Sequence, residues 1–156
     1  MQSTTKKPTE FFPQSLAVRA ARAATTIAPF ISQEQAIAIA NGMQGEDKNH
    51  FLQLAVDLAD RVDSMPSTYE PDGKGDNATV YLHYFIGDSD WFITEKDENG
   101  GVDQAFGYAV LNGNDQFAEL GDISIRELTY RGVELDLYFR PRPLAEIKVE
   151  RERYAA

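Results

Sequence analysis

Residues 80–97 read VYLHYFIGDSDWFITEKD, and how they fold decides the rest of the chain. Gly87, Asp88, Ser89 and Asp90 are turn chemistry, flanked by runs 80–86 and 91–95 that are rich in β-branched and aromatic residues. The pattern predicts a β-hairpin with an acidic tip. In the first run Tyr81, His83 and Phe85 share one face, and Val80, Leu82 and Tyr84 share the other. Neither face is plainly polar. Either the strand is buried on both sides, or one face is kept for a partner.

Outward from the hairpin, 96–101 is a second polar turn and 104–111 a third strand, with Gly107 marking a bulge or a close backbone approach. Residues 112–115 turn again. Ser124 with Glu127 reads as the cap of a short helix, ISIREL. Residues 133–139 alternate, with Val133, Leu135, Leu137 and Phe139 on one face, which predicts a fourth strand. Pro143 opens a C-terminal helix that turns Leu144, Ile147 and either Val149 or Tyr154 inward.

Upstream, 66–78 is a loop of turn-forming residues, and its Gly-Lys-Gly lacks the rest of a phosphate-binding loop. Before it the spacing predicts three helices. One starts at Pro13 and ends at Pro29. One is opened by a Ser32–Gln35 capping box. The third spans 46–64, with Phe51, Leu54, Ala55, Leu58, Val62 and Met65 on its apolar face and Glu46 and Asp47 in its first turn. The reading is a flexible arm at 1–12 and one α+β domain at 13–156. It comprises a helical part (13–65), the connecting loop, and a sheet part (79–156) built as a four-stranded antiparallel meander with a closing helix.

The formal net charge is −10, and it is unevenly spread. Residues 66–130 hold three Lys/Arg and thirteen Asp/Glu, while the segments on either side are nearly neutral. Such a field repels phosphate backbones, so direct nucleic-acid binding is disfavoured, and it attracts a basic surface. With no cysteine there is neither a disulfide framework nor a thiolate nucleophile. No apolar run approaches the ~18 residues a membrane span needs, and Arg19 and Arg22 break up the apolar part near the N-terminus, so no secretory signal is expected. A cytoplasmic protein is the expectation.

Chemistry has few residues to draw on. His50 and His83 are the two histidines, and no serine stands in a nucleophile-elbow motif, so a serine hydrolase is not expected. His50 reads as a surface residue of the third helix. Asp88, Asp90, Glu95, Asp97, Glu98 and Asp103 crowd two turns and offer oxygen ligands of the kind hard cations take. Asp88-Ser89-Asp90 starts like a calcium loop but breaks at Trp91. These carboxylates read as solvated turns, and no metal, cofactor or catalytic residue is assigned.

The blocks YLHYFIGDSDWFITEKD, QAFGYAVLNG, AELGDISIREL and GVELDLYFRPRPLAEI, in that order across residues 66–147, resemble a family of uncharacterised proteins encoded on conjugative plasmids, integrative elements and phages of bacteria. Asp122 stands where that family often has an aromatic. The resemblance implies a small protein of mobile DNA. Such elements carry anti-restriction and anti-CRISPR proteins, many of which present an acidic face to a surface that normally holds nucleic acid. On this reading the chain is a non-enzymatic inhibitor. It binds the basic surface of a host nucleic-acid-handling complex through Asp88, Asp90, Glu95, Asp97 and Glu98, with Trp91 and Tyr84 as anchors. Two alternatives stand beside it. One is a divalent-metal enzyme using the 88–103 carboxylates. The other is a structural or regulatory module of DNA transfer that forms a homodimer through the N-terminal helices, with Arg19 and Arg22 exposed.

Overall fold

The computed structural model describes residues 14–68 and 74–155. The expected arm at 1–12 and the helix start at Pro13 lie outside the described residues. Helix α1 (Leu16–Ile27) is capped by Ser15, whose Oγ accepts from the Val18 N–H. Pro29 ends it within a short 3₁₀ turn, Ala28–Phe30. In α2 (Gln33–Gly42) the predicted cap forms, with Ser32 Oγ accepting from the Gln35 N–H at 3.2 Å. The Gln35 side chain, however, does not close the box. Its amide reaches the sheet, donating to the Leu135 carbonyl and accepting from the Leu135 N–H, both at 2.8 Å.

Helix α3 (Lys48–Ser64) begins two residues later than expected, so Glu46 and Asp47 precede its first turn. Its buried stripe is Leu52, Ala55, Val56, Leu58, Ala59 and Val62, while Phe51 and Leu54 are half-buried. The helix is thus rotated from the expected face, because it also packs along α1, where Ala20 and Ala23 let the backbones approach.

Two short strands, β1 (Thr79–Val80) and β7 (Arg142–Pro143), pair with each other. The main sheet holds β2 (Leu82–Ile86), β3 (Ser89–Glu95), β4 (Ala105–Val110), β5 (Glu119–Ile123) and β6 (Glu134–Leu135), antiparallel in the order β5-β4-β3-β2-β6. The hairpin forms in the expected place, with Tyr84 opposite Trp91. Of the two readings given for Gly107, the close backbone approach holds: a Cβ there would lie 2.9 Å from the Ile93 Cα, and the extra residue at the neighbouring register shift is Thr94 on β3 rather than Gly107.

Among the described residues the sheet has five strands rather than four. The strand the periodicity missed, β5, reads ELGDI, and Glu, Gly and Asp are poor strand formers. The run 133–139 leaves the sheet after two paired residues. Asp136 is the cause: its carboxylate accepts from the Tyr138 N–H at 3.0 Å and fixes a turn. Phe139 is thereby carried to the opposite side of the sheet from Val133 and Leu135.

Short helix α4 (Ile125–Tyr130) has the expected Ser124 cap, and α5 (Leu144–Ala155) closes the chain. The sheet is covered on both faces. Leu82, Tyr84, Ile93 and Leu135 pack against the N-terminal helices, and Phe92, Tyr108 and Val110 pack against Leu144 and Ile147 of α5. Burial on both sides is therefore the reason the hairpin has no polar face. Val149 and Tyr154 do not turn inward: they are 47% and 92% exposed. Among the described residues no helix is long and apolar enough to cross a membrane.

Candidate functional site

The face of the sheet under α5 carries a chain of polar contacts centred on His83. The imidazole lies flat on Phe92, with ring centroids 4.7 Å apart and an interplanar angle of 8°. Its Nε2 is 2.7 Å from Asp90 Oδ1, across the hairpin, and its Nδ1 is 3.5 Å from Asp136 Oδ2. The other oxygen of Asp90 meets Arg151 Nη1 at 3.2 Å. Arg151 Nε reaches Asp115 Oδ1 at 2.6 Å. One network thus ties the hairpin to the turn after β6, to α5 and to the loop before β5.

The chemistry of this network is that of an anchor. A general base needs a ring nitrogen free to reach a substrate proton, and a nucleophilic pair needs a hydroxyl on that nitrogen. Here each nitrogen of His83 faces a carboxylate. Periodicity did not single out Arg151, Asp115 or Asp136. The one available signal was spacing, since Leu144, Ile147, Lys148 and Arg151 fall on one stripe of α5.

Burial by itself would raise the Asp90 carboxyl. The His83 hydrogen bond, with the charges of His83 and Arg151, outweighs it and holds the group below the ordinary aspartate range. Asp97 is also held low, first by the Asn99 N–H at 2.8 Å, and further by the Gln104 N–H at 3.1 Å. A carboxyl depressed in the fold contributes stability that is present above its unfolded value, about 3.9, and is lost as pH falls through the folded value. Urea unfolding should therefore show a lower midpoint at pH 3 than at pH 6. The drop should shrink in Asp90→Asn, which removes one of the two carboxyls held low by the fold; an undiminished drop would count against the role given to Asp90.

The residues expected to meet a partner are dispersed. Tyr84 is fully buried, and its hydroxyl donates to the Phe30 carbonyl, so it offers a partner nothing. Burial pushes that phenol's ionisation upward. Glu95 and Asp97 are each only 8% exposed. Trp91 is half-buried against the helical core, and Asp90 is engaged by His83 and Arg151. Asp88 and Glu98 remain, exposed at two turns. Among the described residues, no group of three His, Asp or Glu side chains is placed to hold a metal ion.

Further exposed carboxylates stand on β5. Glu119 and Asp122 stand exposed on β5, and neither they nor Asp88 and Glu98 have an ion-pair partner among the described residues. Their acidic neighbours are neutralised: Asp103 by Arg126, Glu127 by Arg131, Asp76 by Lys148 and Asp115 by Arg151. By contrast, the groove between α1 and α3 mixes Arg19 and Arg22 with Asp60 and Asp63 and is locally balanced. Comparison with family models, curated proteins and solved structures finds no match to this chain.

Proposed function

We propose that this protein is a non-enzymatic binder that uses its acidic sheet edge to occupy a basic surface on a host nucleic-acid-handling complex. The effect is inhibition of the anti-restriction or anti-CRISPR kind. The observation that carries this reading is a set of uncompensated carboxylates on and near the β5 edge, within the segment 66–130 that holds three Lys/Arg against thirteen Asp/Glu. Glu119 and Asp122 lie on β5, Glu98 in the turn between β3 and β4, and Asp88 in the turn between β2 and β3, with no ion-pair partner among the described residues. Exposed charges of one sign steer a partner of the other sign and suppress like-charged ones. The mobile-element setting rests on the sequence blocks that resemble that family.

The test is a DNA-cleavage assay against a panel of restriction and CRISPR effector complexes. The wild-type chain should inhibit one of them, and inhibition should weaken with added salt. Reversing Asp88, Glu98, Glu119 and Asp122 together to lysine should weaken inhibition by ~100-fold or more, since like-charge contacts cost several kcal/mol. Circular dichroism should be unchanged, because none of the four supports the core. Undiminished inhibition by a folded quadruple variant would overturn the proposal.

A further inference from the structure

The main sheet has two edges, and the fold treats them differently. Edge strand β6 is closed by the Gln35 amide, which satisfies both the N–H and the carbonyl of Leu135. The opposite edge, β5, pairs with β4 on one side. On its outer side its backbone has no hydrogen-bond partner among the described residues. An unpaired strand edge is a ready template for another chain, which natural proteins blunt with lysine, proline, bulges or a covering element. β5 has no lysine and no proline, and its register with β4 runs without a bulge from Glu119 to Ile123. Among the described residues its faces are also open. A Cβ placed on Gly121 would meet nothing within 4 Å, and Leu120 is 37% exposed on the other face.

We propose that β5 is the docking strand, and that an extended, lysine- or arginine-rich segment of the partner adds to the sheet along it. This rests on the acidic-binder reading and names the partner's chemistry. Main-chain hydrogen bonds to an edge supply affinity in such strand addition, and side chains supply selectivity. Here selectivity comes from Glu119 and Asp122, on opposite faces of β5, with Glu98 in the turn between β3 and β4. Cations on alternate residues of an incoming strand share one face, and whichever face that is, they would meet one of these two carboxylates. The same charges disfavour a second copy of this chain. Antiparallel pairing of two β5 strands about Leu120 and Gly121 would set Glu119 against Asp122 twice, and like charges directly opposite are destabilising.

The test uses the whole protein and a synthetic peptide alternating lysine and valine. A second peptide of the same sequence is methylated at every backbone nitrogen, which keeps the charge and removes the donors. The unmodified peptide should bind in a salt-sensitive way and protect β5 backbone amides from hydrogen exchange. The methylated peptide should bind ~10-fold or more weakly, the equivalent of one or two lost hydrogen bonds. The double variant Glu119→Lys with Asp122→Lys should lose binding of the unmodified peptide. Equal binding of both peptides, or unmodified binding to that variant, would overturn strand addition at β5 while leaving the acidic-binder reading standing. Binding of neither peptide at low salt would overturn both.

Discussion

Tyr84→Ala should lower the unfolding free energy by about 3–5 kcal/mol, the range for truncating a large aromatic in a packed core. Tyr84 is completely buried on β2, opposite Trp91 on β3 and Leu135 on the edge strand β6. It joins the sheet to the helices twice, through its ring and through the hydroxyl that donates to the Phe30 carbonyl in the turn after α1. Truncation removes the ring and orphans that carbonyl. Tyr84→Phe separates the two contributions. It keeps the ring and should cost about 1–3 kcal/mol, the penalty of one unsatisfied buried acceptor. Urea titration with a common m-value measures both. A loss below about 1 kcal/mol for the alanine variant would contradict the packing described here.

Gly107→Val should be nearly as damaging, at about 3 kcal/mol, the upper end of the cost of overpacking a core. Gly107 sits on β4, with β3 on one side and β5 on the other, where the β3 backbone passes closest. An added Cβ would run into the Phe92 carbonyl and approach the Ile93 Cα to 2.9 Å. These are main-chain atoms of a central strand and cannot swing aside as a side chain can. Gly121, directly opposite on β5, is the control. Open space surrounds its Cβ position, so Gly121→Ala should change stability by less than about 0.5 kcal/mol. Similar losses at the two glycines would mean that strand propensity, rather than close approach, governs Gly107.

The hairpin was legible because its signals are local: turn residues at 87–90 between two apolar runs. The Ser32 and Ser124 caps, and the inward turn of Leu144 and Ile147, follow from residues three or four apart and were equally readable. What escaped depends on contacts distant in sequence. β5 is a strand because β4 pairs with it, despite the poor propensity of Glu119, Gly121 and Asp122. Asp136 ends a clean alternation by capping its own turn, which a period-two count cannot register.

The site suffered most. Acidic crowding at 88–98 was visible, but the sequence does not say which carboxylates are used internally. Asp90 is engaged by an arginine sixty-one residues away, and Asp97 by the backbone of its own turn. Tyr84 has the composition of an interface anchor, yet the helices bury it. What stays exposed and unpaired on β5, Glu119 and Asp122, is visible only once those internal contacts are known.

The most direct test of the central claim is a displacement experiment. The chain would be immobilised with a DNA- or RNA-handling complex that it retains from bacteria carrying restriction and CRISPR systems, and duplex DNA would be titrated in. The account predicts release of the complex by DNA and by moderate salt. It also predicts no retention by the variant with Asp88, Glu98, Glu119 and Asp122 reversed to lysine. Retention that ignores both the competing nucleic acid and the charge reversal would contradict it, and would move the binding surface away from the acidic edge.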